Sequence, residues 1–136
     1  MSTNRMLQPM APIFLAILRV VTGLLFLEHG TQKILHFPVS DFHPPMFSLL
    51  WVGGILEIVG GVLIIIGLFT RPVAFILSGM MAVAYFMMAV AYFMMHAPNS
   101  FFPALNGGDA AILFCFVFLY LVFAGPGSFS LDGKRK

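Results

Sequence analysis

Charge is what this chain has least of. Only 9% of its 136 residues are charged, against 60% hydrophobic, and its mean hydropathy is +1.01. A soluble domain carries about 25% charged residues. A chain this poor in charge cannot clothe a water-facing surface, so it reads as an integral membrane protein whose first partner is the lipid bilayer. It has one cysteine, Cys115, which excludes an intramolecular disulfide and a cysteine-based metal site. Cys115 lies in an apolar run and reads as a small packed thiol. The net charge is +2, but the basic residues sit mainly at the termini and in a loop. That pattern marks orientation in a membrane and excludes a nucleic-acid surface. A cleavable signal is also missing: Arg5 precedes an apolar run too long for one, with no small-residue cleavage site.

What is there falls into four apolar segments, predicted as helices over about 12–36, 46–69, 72–96 and 109–124. The first follows a short polar lead and starts near Pro12, a good first-turn residue. It carries Arg19, Glu28, His29 and Lys33 inside an otherwise oily run. Ionisable groups in a bilayer cost several kcal/mol each and face partners or water-filled space. At about 100° per residue, Arg19, Thr22, Gly23, Phe26, Gly30 and Lys33 share one face, which should look into a bundle. Glu28 falls opposite Arg19, and His29 lies on the flank. The stretch 38–45 contains three prolines and reads as a connector. In the second segment Gly53, Glu57, Gly60, Ile64 and Gly67 share a face, with Gly54 and Gly61 on its shoulder; small residues let helices approach closely in lipid.

Arg71-Pro72 turns the chain into the third segment, where AVAYFMM at 82–88 is followed at once by an identical AVAYFMM at 89–95. Such a repeat reads as a tandem duplication. Seven residues rotate a helix about 20° short of two turns and lengthen it by about 10.5 Å. Ser78, Ala82, Tyr85, Ala89, Tyr92 and His96 therefore keep one stripe, while everything beyond is displaced along the axis. Residues 97–108 form a loop, Asp109 reads as a cap for the last helix, and Gly125-Pro126-Gly127 ends it before a polar, basic tail.

Arg5, Arg71, Lys134, Arg135 and Lys136 place both termini and the loop between the second and third helices in the cytoplasm by the positive-inside rule. The fold class expected is thus an all-α, multi-pass, antiparallel bundle of four transmembrane helices forming one domain. At about 1.5 Å per residue, Arg19 stands roughly 10 Å and Glu57 roughly 18 Å above the cytoplasmic ends, a gap an arginine can bridge. A buried Arg19–Glu57 ion pair is therefore expected. Glu28, His29 and Asp109 fall together at roughly 22–26 Å, and His96 stands higher at about 36 Å, past a hydrocarbon core of about 30 Å. Without one heptad His96 would be level with that polar collar.

These residues resemble the DoxX family of small bacterial membrane proteins. The likeness rests on the spacing of Arg19, Gly23, Gly30 and Lys33, and on that of Glu57, Gly60, Gly61, Gly67 and Arg71. It continues through HAP at 96–98, FFPALNGGD at 101–109 and the GPG and SLD triplets within 125–132. The second AYFM-type segment and Asp109 in place of a common Glu depart from the family pattern. The resemblance implies a four-helix inner-membrane protein with a loosely defined redox role, linked to quinones or to thiol and sulfur compounds.

Three functional readings remain open. One is a redox-associated subunit whose candidate ligand-binding residues are His29, Lys33, Glu57, Tyr85, Tyr92, His96, Asn106 and Asp109. His29, Lys33 and Asp109 would bond the oxygens of a quinone headgroup, while Tyr85, Tyr92, Phe26 and Phe116 pack its ring. The second is a non-catalytic scaffold that recruits soluble partners, redox proteins included, through its basic tail. The third is a small-molecule transporter, which a homo-oligomer would favour. No self-sufficient catalytic motif is present. Haem between His29 and His96 is disfavoured by their height mismatch of about 10 Å, and His29, His36, His43 and His96 match no zinc-ligand spacing.

Overall fold

The computed structural model describes residues 2–41, 43–96, 102 and 107–134, with the backbone alone for 87–96. The described residues are all-helical, without strands. Helix α1 (Thr3–Leu7) runs through a 3-10 turn (Gln8–Met10) into α2 (Ala11–Ile34). The residues expected as a polar lead are therefore helical, and Thr3–Ile34 is one continuous helical stretch. Then follow α3 (Leu49–Ile66), α4 (Thr70–His96), α5 (Asp109–Ala124) and the single turn α6 (Leu131–Lys134).

The helix ends follow local chemistry. The Ser48 hydroxyl accepts the Trp51 N–H at 3.3 Å and opens α3, satisfying one of the donors left over at a helix start. Gly67 closes α3 in the left-handed conformation (φ 68°), its N–H bonded to Ile64 O at 3.1 Å and the next N–H, of Leu68, to Leu63 O at 3.0 Å. Gly67 has a second reason to be glycine: a Cβ there would lie 2.5 Å from Ser130 Cβ.

Two antiparallel hairpins make the body, α2 against α3 and α4 against α5, with lighter contacts between the pairs. The first hairpin is a glycine seam. A Cβ on Gly30 would stand 2.7 Å from Gly54 O, and one on Gly23 would stand 3.1 Å from Gly61 O. The backbones touch, which is how packing without a hydrophobic drive is achieved in lipid. The α3 glycines divide their work: Gly54 and Gly61 meet α2, Gly60 meets Leu77 of α4, and Gly53 meets nothing within 4 Å. The shoulder residues carry the seam, because the true interface is rotated slightly from the stripe drawn through Gly53. The second hairpin is pinned where the Ser78 hydroxyl donates to Cys115 O at 2.8 Å.

The core between the hairpins is small: Phe26, Ile64, Ala74, Leu77, Met81, Phe118 and Leu121 are buried. The α2 stripe Ala16, Arg19, Thr22, Gly23, Phe26 and Gly30 is buried too. Outward stand large apolar side chains along every long helix, among them Leu24, Val59, Phe75 and Phe123. An apolar belt this wide is unusual on a water-soluble monomer. Thr3–Ile34 and Leu49–Ile66 are long and apolar enough to cross a membrane; Thr70–Phe86 and Asp109–Ala124 are shorter apolar stretches.

Candidate functional site

Two polar clusters lie within this oily body. The first joins Lys33 of α2 to Glu57 of α3 in an ion pair between Nζ and Oε1. The Glu57 side chain is 5% exposed and the Lys33 side chain 27%, so the carboxylate is sealed in and the ammonium reaches the rim. The glycine seam makes the pair possible. Gly30 sits one turn before Lys33, and a Cβ there would lie 2.9 Å from Glu57 Cβ. The helices are close enough for a lysine to fold across.

The second cluster surrounds Arg19, which is fully buried. Its guanidinium donates to Pro126 O, to Ser128 O at 3.1 Å, to Phe129 O at 2.8 Å and more distantly to Ile65 O at 3.5 Å. Three of these carbonyls belong to the segment that doubles back after α5 at Gly125-Pro126-Gly127. The same segment is tied elsewhere. Ser128 N–H donates to Pro12 O at 3.1 Å and Asp132 N–H to Gly67 O at 2.9 Å. The Asp132 carboxylate accepts the Phe69 and Thr70 N–H groups at 2.8 Å each, capping α4. Arg71 closes the other side, its Nη1 donating to Val122 O at 3.1 Å and Phe123 O at 3.0 Å. Arg19 is the centre of a clasp holding the chain's C-terminal part beneath the bundle.

The expected Arg19–Glu57 ion pair is not formed. Arg19 is level with Ile65, which lies eight residues after Glu57 (65 − 57) on α3. At about 1.5 Å per residue that is about 12 Å of climb, whereas backbone carbonyls lie beside the guanidinium. Hydrogen bonds from a charged donor are about twice as strong as neutral ones, and several carbonyls can serve a planar five-donor group. Glu57 takes the cation at its own level, Lys33. The reversal after α5 could not be seen from helix heights alone.

The remaining candidates are spread more widely. His29 is half-buried and packs edge-on against the Phe114 ring at 5.8 Å, beside a cluster of Phe26, Phe114 and Phe118. It stands four residues before Lys33, hence on the same side of α2. Glu28 is exposed. Asp109 is exposed in the first turn of α5, where Gly108 is the cap residue and no side chain caps the helix; its charge faces the helix start, but it makes no capping bond. Tyr85 is half-buried with its ring 5.7 Å from Phe86, and Phe116 points outward. The side chains of Tyr92 and His96, and residue Asn106, lie outside the described residues. Among the described residues no group of three or more His, Cys, Asp or Glu is placed to hold a metal ion. The structure thus brings Lys33 and Glu57 together, sets His29 nearby, and leaves Tyr85 and Asp109 on other helices.

Sequence reasoning missed Thr70, Ser128 and Asp132 as members of a built structure. The signal was the triple break Gly125-Pro126-Gly127 followed by an aspartate, which permits a turn back toward an uncapped helix start.

The DoxX family profile matches residues 14–97, a span that includes Arg19, Lys33, Glu57 and Arg71. A Haemophilus influenzae protein, described as an uncharacterized protein, is 48% identical over 134 residues. The alignment covers 94% of this chain and 95% of that protein. No solved structure matches the chain. With an all-helical body, two helices of membrane-crossing length and both likenesses, the chain belongs to the membrane-associated DoxX family.

Proposed function

We propose that this chain is a multi-pass inner-membrane protein with a redox-associated role, in which the Lys33–Glu57 pair and His29 receive a quinone headgroup. In this reading α2, α3, α4 and α5 all cross the bilayer and both termini lie in the cytoplasm. The observation that carries the proposal is the Lys33–Glu57 pair itself, a sealed carboxylate bonded to an ammonium that is partly exposed. Ionisable groups held in the apolar part of a membrane protein are costly and mark ligand or proton pathways. The Lys33 ammonium donates to a quinone oxygen, the Glu57 carboxylate exchanges the proton that accompanies reduction, and Phe114 beside His29 offers a ring face. Electrons come from a soluble partner protein, and the chain supplies binding and protons.

Thermal unfolding with a panel of quinone analogues tests this. A ligand that binds only the folded state raises its stability. The wild type should be stabilised, Lys33→Met and Glu57→Gln should lose the response, and His29→Ala should weaken it. Absence of any shift across the panel would remove the quinone reading.

A further inference from the structure

At the end of the bundle away from the clasp, residues 35–48 link α2 to α3. This connector brings together two histidines seven residues apart (43 − 36). His36 Nδ1 and His43 Nδ1 are separated by 2.7 Å, with ring centroids 4.2 Å apart and ring planes at 81°. The connector backbone builds this placement. His36 follows α2 in the left-handed conformation (φ 58°), a region that histidine enters more readily than most side chains. The Leu35 and Phe37 N–H groups on either side of it both bond Thr31 O, at 2.8 and 3.3 Å. Next to His43, Pro44 is buried, and the Ser48 N–H bonds Pro45 O at 3.0 Å.

Burial does not force the contact. Both histidines are exposed, and each ring could bond water instead. Two imidazole nitrogens held side by side in solvent make a chelate, histidine being the commonest metal ligand. Their separation selects a geometry. With metal–nitrogen bonds of about 2.0–2.1 Å, adjacent positions of a tetragonal ion, at about 90°, set two nitrogens about 2.9 Å apart. A tetrahedral ion needs about 3.3 Å, and a linear one about 4 Å. The observed 2.7 Å lies nearest the first. The rings are also not head to head. Their centroids are only 1.5 Å further apart than the nitrogens (4.2 − 2.7), so the lone pairs point off the line between them, as an ion set to one side requires. Tetragonal nitrogen sites suit Cu(II) and Ni(II), and Cu(II) binds the more tightly. We propose that His36 and His43 bind Cu(II) through their Nδ1 atoms, as adjacent ligands in a square whose other positions are held by water. Without metal, one ring carries its proton on Nδ1 and donates it to the other. On binding, that proton moves to Nε2 of the same ring, which frees both Nδ1 lone pairs. This inference is independent of the quinone site.

The test titrates the full chain, in neutral detergent and stripped of metal, with Cu(II), Ni(II) and Zn(II). One Cu(II) per chain should bind, with a tetragonal electron paramagnetic resonance spectrum split by two nitrogens, and Ni(II) and Zn(II) should bind more weakly. Losing even an outer-shell partner costs about 10–100-fold in metal affinity, so losing one of two protein ligands should cost at least about 100-fold. His36→Asn removes a ligand with a residue that tolerates positive φ, and His43→Gln removes the other. Each should weaken Cu(II) by that factor, and the double variant should bind no more weakly than either. The metal-free variants should melt with the wild type, because both side chains are exposed; should one melt early, the other variant and the wild-type spectrum decide. Both should keep any response to quinone analogues, so this proposal and the quinone reading fail separately. Equal Cu(II) binding by wild type and double variant, meaning an adventitious ion only, would overturn the proposal. So would a wild-type spectrum showing fewer than two nitrogens, or tighter binding of Zn(II) than of Cu(II).

Discussion

The α2/α3 seam makes a quantitative prediction because two of its glycines form a matched pair. Gly30 and Gly53 are both helical glycines in the same hairpin. A Cβ on Gly30 meets Gly54 O at 2.7 Å, Glu57 Cβ at 2.9 Å and Ile58 Cγ1 at 2.9 Å, whereas one on Gly53 meets nothing within 4 Å. Ordinary contact begins near 3.4 Å, so Gly30→Ala must push α3 away by about 0.7 Å (3.4 − 2.7) at that point. A backbone carbonyl cannot swing aside as a side-chain end can. Overpacking of this kind costs about 1–3 kcal/mol, and it also draws Glu57 away from Lys33. Alanine gains about 1 kcal/mol over glycine in a helix interior at either site, so the difference between the two variants isolates the clash. Gly30→Ala should be about 1–3 kcal/mol less stable than Gly53→Ala, which should match or exceed wild type. At roughly 2–8 °C per kcal/mol for a chain of this size, the melting points should differ by at least about 2 °C in the same detergent. Equal melting points would show that the helices do not touch along this seam, and the placement of Lys33 against Glu57 would fall with it.

Other consequences follow from the two polar clusters and the long fourth helix. Lys33→Met and Glu57→Leu should each cost about 2–4 kcal/mol, because each strands a partly buried charge, while the double variant should recover most of the loss; additive losses in the unfolding cycle would mean the residues do not interact. Arg19→Lys should lose about 3 kcal/mol or more despite keeping its charge, since a single ammonium cannot serve carbonyls from both α3 and the returning segment. Limited proteolysis should then cut near residue 127 in the variant and spare the wild type. Asp132→Ala uncaps α4 and should cost about 1–2 kcal/mol, with Asp132→Asn intermediate in denaturant titration. Helix α4 runs unbroken for 27 residues, about 40 Å against a hydrocarbon core of about 30 Å. Removing residues 89–95 should therefore raise the melting point by relieving mismatch, and an unchanged melting point would show that tilt already absorbs the excess.

Much of the body was legible from periodicity. Poverty of charge announced the membrane, and the inward stripe of α2 followed from residue spacing because a helix rotates by a constant angle. The glycines of α3 announced close packing, since in lipid only small residues let backbones touch. Type and rough position of the polar residues were equally readable: a Lys, a Glu and an Arg set in oil must find partners. Which partner each one found was decided by tertiary structure alone. Height arithmetic treats helices as parallel rulers and joined Arg19 to Glu57. In the folded chain the segment after Gly125 turns back beneath the bundle and carries three carbonyls to Arg19, while the glycine seam lets Lys33 reach Glu57. Both outcomes depend on contacts between residues far apart in sequence, Arg19 with Phe129 and Gly30 with Gly54, which local periodicity does not encode. The sequence by itself determined that charges would be buried among helices; the three-dimensional path of the chain chose their companions, because a buried charge bonds whichever polar group the fold brings to its level, the Lys33 ammonium for Glu57 and backbone carbonyls for Arg19.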